Sequence, residues 1–104
     1  MTNNFKKTPT ILNVDLTAAN TQYSFVLPEY CVAYTVKLRD AAKTFRLAYV
    51  TGKVATPTAP YLSLAAGKEH TVDGLWLQGK AEGDRTVFIA SPDASQVAEV
   101  EMWS

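Results

Sequence analysis

Apolar and polar residues alternate at a period of two along most of the chain, in short runs separated by turn residues. The clearest run extends from Val32 to Arg39, where Val32, Tyr34, Val36 and Leu38 occupy alternate positions. Side chains of a strand point to opposite faces in turn, so this run predicts a half-buried antiparallel strand. Comparable runs predict further strands at 12–16, 22–27, 45–50, 61–64, 69–72, 75–78, 85–90 and 97–103.

The segments between these runs favour turns over helices. Residues 16–20 and 90–97 could tempt a helical interpretation, but neither keeps a 3.6-residue apolar period for three turns, so single turns or short 3₁₀ pieces are expected there. Asp73-Gly74 is the best candidate for a tight hairpin turn, because glycine adopts positive φ freely. The sequence therefore predicts an all-β fold, an antiparallel, jelly-roll-like β-sandwich of about eight or nine short strands, with a partly open barrel as the alternative.

Two stretches lack this pattern. Residues 1–9 are polar except for Phe5, and they are expected to form a flexible N-terminal arm that precedes a single domain at 10–104. The arm is either simply disordered or becomes ordered when Phe5 docks on a neighbouring subunit. Residues 54–60, which include Pro57 and Pro60, are expected to form a surface loop.

Composition and charge narrow the classes of partner. The 104 residues are 47% hydrophobic, which is enough for one core, and ten basic residues balance ten acidic ones. A neutral chain has no broad positive field, so nucleic acid and anionic membranes are not expected as partners. The sequence has no apolar run of the kind found in secretion signals or membrane spans, so synthesis in a cytoplasm is expected.

Candidate catalytic and metal-binding residues are few. Cys31 and His70 are the only cysteine and the only histidine, so a disulfide within the chain is excluded, and no pair has the spacing of metal ligands. The sequence alone leaves a Cys-His dyad open, but no motif in it indicates the oxyanion stabiliser that such a dyad would need. Glu99 and Glu101 would project from one face of the last strand, where solvated charge is the ordinary case. We therefore expect no enzyme, no metal site and no cofactor.

Aromatic and proline residues outside the expected core are the remaining functional signal. Trp76 must point away from its neighbours Leu75 and Leu77, and Tyr30 and Tyr61 lie beside turns. Exposed aromatic residues fit either a subunit interface or a platform for stacking sugars, and an interface is favoured. The candidate interface residues are Phe5, Tyr30, Pro57, Pro60, Tyr61 and Trp76.

Four segments resemble small structural proteins of tailed-bacteriophage virions. They are YTVKLRD at 34–40, FRLA at 45–48, TGKVATPTAPY at 51–61 and VFIASPDASQVAEVEMW at 87–103. The resemblance extends over the larger part of the chain but rests on pattern, without a diagnostic motif. The loop at 79–84 is longer than the connection expected between its two strands, which leaves the local hairpin register open.

The resemblance implies a non-enzymatic capsid decoration or cement protein located in the virion. Its expected partners are the major capsid protein or other virion proteins and further copies of itself, with a trimer favoured. The alternative is a carbohydrate- or receptor-binding β-sandwich module of a phage particle, which would use Trp76, Tyr61 or Tyr30 for stacking.

Overall fold

A computed structural model describes residues 9–104, which form eight β-strands and one 3₁₀ turn at Glu82–Arg85. None of these residues belongs to a helix that is long and apolar enough to cross a membrane. The strands are β1 (Pro9–Leu16), β2 (Tyr23–Val26), β3 (Ala33–Leu38), β4 (Phe45–Ala48), β5 (Leu62–Leu64), β6 (His70–Val72), β7 (Thr86–Ala90) and β8 (Gln96–Trp103).

The strands form two four-stranded antiparallel sheets in the orders β1-β8-β3-β6 and β2-β7-β4-β5. The first half of the chain pairs with the second as β1 with β8, β2 with β7, β3 with β6 and β4 with β5. The paired strands form one long two-stranded ribbon, which winds around itself to make the sandwich. The β3–β8 and β4–β7 ladders hydrogen-bond one winding of the ribbon to the next. The arrangement is a jelly roll, which confirms the predicted β-sandwich. Across residues 9–104 no ladder links the two sheets, so they do not close into a barrel.

Alternate residues of each central strand fill the space between the sheets. Tyr34, Val36 and Leu38 of β3 are buried, as the alternation predicts, and Val36 lies opposite the buried Val100 of β8. Phe25 of the other sheet meets Tyr34 edge to face, with ring centroids 6.1 Å apart. Such contacts between inward-facing side chains supply most of the stability of a two-layer fold.

The predicted strand at 75–78 is wrong, although its side chains alternate as expected. Leu75 and Leu77 pack against the core and Trp76 is exposed. The segment forms no strand ladder, and the Leu75 N–H donates to the Val32 carbonyl at 2.9 Å. Alternation reports burial and cannot by itself show that a neighbouring strand is available for pairing. The hairpin expected at Asp73-Gly74 is therefore absent, and of these two residues only Gly74 has positive φ, at 69°.

Two predicted irregular segments acquire definite structure. In the loop at 79–84, the 3₁₀ turn ends at Arg85, whose Nη1 donates to the Leu27 carbonyl at 2.6 Å and thereby fixes the loop to the end of β2. The surface loop predicted at 54–60 begins with Val54, which is fully buried against Ala48 and Ala90. These three residues form a second, small hydrophobic cluster.

The first described residue already belongs to a strand. Pro9, which the sequence analysis places in the arm, begins β1 and pairs with Trp103. Phe5 and the rest of residues 1–8 lie outside the described residues, so the flexible arm stays a prediction.

Candidate interface surfaces

Cys31 and His70 each have their own structural partners. Cys31 is buried, its Sγ donates to the Ala33 carbonyl at 3.3 Å, and burial raises the pKa of the thiol. A raised pKa disfavours the thiolate, which is the nucleophilic form. The Nε2 of His70 instead hydrogen-bonds to the Tyr49 hydroxyl at 3.2 Å. Within residues 9–104 no hydrogen bond joins Cys31 to His70, so the geometry does not form the dyad that the sequence left open.

A chain of hydrogen bonds connects His70 to the core through two tyrosines. The Tyr49 hydroxyl bridges His70 and the hydroxyl of the buried Tyr34. Burial, and next the hydrogen bond to Tyr49, raise the pKa of Tyr34, and burial lowers the pKa of His70. Both shifts favour the uncharged forms, so the chain joins β3, the end of β4 and β6 as a neutral network.

Glu99 and Glu101 lie on the outer face of the β1-β8-β3-β6 sheet. Glu99 accepts a hydrogen bond from Arg39 Nε at 2.8 Å and lies 3.7 Å from Lys37 Nζ, and Arg39 lowers the pKa of Glu99. Glu101 accepts a hydrogen bond from Trp103 Nε1 at 3.1 Å. A general acid needs a raised pKa, so this arrangement is that of a solvated, ion-paired sheet face. No group of three or more His, Cys, Asp or Glu in residues 9–104 is placed to hold a metal ion.

Two of the predicted interface residues lie together at one end of the sandwich. Tyr30 is 64% exposed and Trp76 is 76% exposed, and both line one depression of about 60 Å³. Tyr30 lies in a turn closed by the Cys31 N–H and the Pro28 carbonyl, at 3.0 Å. The depression has room for only a few water molecules, since one water needs roughly 10–15 Å³ of such space. This Tyr30–Trp76 surface is therefore a shallow aromatic face suited to contact with another surface.

A second group, the Tyr49–Leu62 surface, lies where β4 ends and β5 begins. Tyr49, Val50 and Leu62 are exposed, and together with Pro60 and Tyr61 they line a mainly apolar groove of about 300 Å³. Of these five residues, only Pro60 and Tyr61 are among the interface residues predicted from the sequence. Tyr49, Val50 and Leu62 belong to alternating runs, and period-two alternation does not show which side chains of a strand end stay exposed.

Arg46 holds the loop that carries part of this second surface. Its Nε donates to the Val54 carbonyl at 2.7 Å, and its Nη2 donates to the Ala55 carbonyl at 3.2 Å and to Asn20 Oδ1 at 3.0 Å. Pro57 is exposed in the same loop but does not line the groove. The predicted residues thus fall on separate surfaces, and their role in an interface stays a prediction.

Comparison with known proteins finds similarity at the level of the fold. No protein-family model and no curated protein matches the sequence. A chain from the X-ray structure of tomato aspermy virus is similar with a TM-score of 0.54 at 14% identity, over 93% of this chain and 76% of that chain. A chain from disulfide-linked pili, the Bacillus endospore appendages, has a TM-score of 0.46 at 20% identity, over 93% of this chain and 84% of that chain. The likeness to the viral chain concerns the fold alone.

Proposed function

We propose that this protein is a non-enzymatic virion structural protein, a capsid decoration or cement protein that binds capsid subunits and copies of itself. The observation that carries the proposal is the Tyr30–Trp76 surface, where two large aromatic side chains are exposed and line the same depression. Tryptophan and tyrosine are enriched among the residues that dominate binding energy in interfaces. The resemblance to virion proteins and the fold shared with a viral chain support the same role.

The exposed area of Trp76 gives the scale of the contact. A tryptophan buries up to about 250 Å², so the 76% that is exposed leaves roughly 190 Å² available to a partner. At about 25 cal/mol per Å² this area contributes at most about 5 kcal/mol, before the costs of association. Many copies on one particle would strengthen such a contact by avidity, and a net charge of zero lets copies crowd without long-range repulsion.

The experiment measures binding of the full chain to particles assembled from the major capsid protein of the same virus, with co-sedimentation as the readout. Trp76→Ala is expected to reduce binding by at least tenfold while the thermal midpoint changes little, because the side chain is mostly outside the core. Val26→Ala, an apolar truncation at another exposed position, is the control and should bind as the natural chain does. Undiminished particle binding by a Tyr30→Ala, Trp76→Ala double variant would contradict the proposed surface.

The second candidate is a carbohydrate- or receptor-binding module of a phage particle, and the exposure of two aromatic residues, Tyr30 and Trp76, at one depression is the feature that favours it. Aromatic faces of this kind can stack on sugar rings. Light scattering after size-exclusion chromatography, followed by a glycan array, separates the two candidates. A monomer that binds one defined glycan supports the module, whereas a self-associating species that sediments with capsids and binds no glycan supports the structural role.

A further inference from the structure

The first strand differs from the other edge strands of the sandwich. β2, β5 and β6 have four, three and three residues, whereas β1 has eight and lies at the edge of its sheet. Native proteins commonly protect sheet edges by making them short or by placing lysine on them. Within residues 9–104 no strand pairs with the outer side of β1, which is long and contains no lysine, so it offers an extended pairing edge.

The register of the sheet shows which backbone groups this edge presents. The Val97 carbonyl accepts from the Arg39 N–H, so Val97 and every second residue of β8 direct their backbone groups away from β1. The intervening residues of β8 face β1, and their partners are the even-numbered residues of β1. The odd-numbered residues Ile11, Asn13 and Asp15 therefore direct N–H and C=O outward, where β8 cannot reach them.

The side chains of β1 add apolar surface to this edge. Ile11 is 71% exposed on the outer face of the sheet, and Leu12, on the inner face, is 37% exposed. Asp15, near one end, is the only charged residue of the strand. An exposed edge with apolar residues and little charge is a template for another strand.

We propose that β1 pairs antiparallel with β1 of a second copy, across a two-fold axis that passes beside Leu12. The inference deepens the proposed function, because it rests on self-association and names the strand responsible. Leu12 then lies opposite Leu12 of the second copy, and Ile11 lies opposite Asn13. The outward N–H and C=O groups of both strands form about six hydrogen bonds between the chains.

Neighbouring registers are less favourable. A shift that centres the axis on Asn13 places the exposed Ile11 opposite the charged Asp15, and a shift to Ile11 pairs fewer of the described residues of β1, only 9–13. In the proposed register Asp15 lies opposite Pro9, and the two Asp15 carboxylates are about 20 Å apart, at roughly 3.4 Å per residue. The Leu12-centred register is preferred, because it places the two apolar Leu12 side chains opposite each other and keeps the like charges of the two Asp15 carboxylates well apart.

Two eight-residue strands bury less area than the roughly 1,200 Å² of a standard stable interface, so the isolated dimer is expected to be weak. Many adjacent contacts on a particle would reinforce it. The contact is isologous and forms pairs, unlike the head-to-tail contacts of the trimer expected from the sequence.

Disulfide trapping tests the proposed register directly in the full chain. Leu12→Cys under mild oxidation is expected to give a covalent dimer at high yield, because facing residues of a non-hydrogen-bonded pair have Cβ atoms close enough for a disulfide. Val26→Cys is the matched control, since Val26 is 38% exposed on the edge strand β2 and should cross-link only at background level. The natural Cys31 is buried and should not contribute. Equal yields from the two variants, or trapping by Asn13→Cys in preference to Leu12→Cys, would overturn the proposal.

Removal of an outward N–H provides a second test. Asn13→Pro removes a donor that faces away from β8, and an edge strand tolerates proline at such a position. Two inter-chain hydrogen bonds are lost per dimer, so sedimentation equilibrium should show dimerisation roughly 30-fold weaker, with the thermal midpoint nearly unchanged. Self-association that is insensitive to Asn13→Pro overturns the strand pairing but leaves the proposed function standing. A chain that stays monomeric at every concentration and gives no Leu12→Cys dimer counts against self-association itself.

Discussion

The fully buried Val36 provides the sharpest test of how this fold is stabilised. Val36 lies in the middle of β3, between Val100 of β8 and His70 of β6, and none of its surface reaches solvent. Val36→Thr keeps the side-chain shape but places a hydroxyl among apolar neighbours. Val36→Asp places a carboxyl group there.

The size of each effect follows from this burial. An unsatisfied hydroxyl in a protein core costs about 1–3 kcal/mol, which is the expected loss for Val36→Thr. For Val36→Asp, about 2 kcal/mol of apolar burial is lost. Keeping the carboxyl neutral at about pH 7, roughly three units above its ordinary pKa, costs about 4 kcal/mol more. The total of about 6 kcal/mol approaches the whole stability of a domain of this size, about 5–15 kcal/mol, so Val36→Asp is expected to be largely unfolded.

Thermal and urea denaturation followed by circular dichroism measure both variants. Val36→Thr should lower the midpoint by about 4–8 °C for each kcal/mol lost. Because burial raises the carboxyl pKa in the folded state, the Val36→Asp penalty should be smaller at about pH 4 than at about pH 7. Val26→Thr is the control at a partly exposed strand position and should stay within about 0.5 kcal/mol of the natural chain. Unchanged stability of Val36→Thr would refute the assignment of this face to the core.

Three further predictions concern buried polar contacts. Ser91→Ala should cost about 1–3 kcal/mol in urea denaturation, because the buried Ser91 hydroxyl donates to the Thr44 carbonyl at 2.9 Å and accepts from the Asp93 N–H at 3.1 Å. Burial lowers the pKa of His70 from its ordinary 6.5, so the stability that its neutral form contributes is present above that pH and lost as pH falls through the folded-state value. His70→Gln should flatten this part of a stability–pH profile, and an unchanged slope would contradict the assignment. Arg46→Lys should speed amide hydrogen exchange in the loop at 49–61 but not in β8, because lysine cannot make the same forked contacts.

The local sequence pattern correctly predicted a strand wherever that strand has both a buried face and paired neighbours. β3 and β8 each alternate without interruption, and the structure buries the predicted face of β3. The pattern failed at 75–78. Leu75 and Leu77 pack against the core, which explains the alternation, but the segment pairs with no neighbouring strand. It also missed the exposure of Tyr49 and Leu62, which depends on contacts between segments that are distant in sequence.

The sequence by itself determined the all-β class, the approximate number of strands and the outward orientation of Trp76, because these follow from side-chain alternation within a few residues. Only the tertiary structure decided the strand order and the separate positions of the Tyr30–Trp76 and Tyr49–Leu62 surfaces. It likewise decided that β1 lies at an edge while β8 lies between two strands. These properties depend on contacts between residues distant in sequence, such as Pro9 with Trp103, and the local period of a strand carries no information about its neighbours.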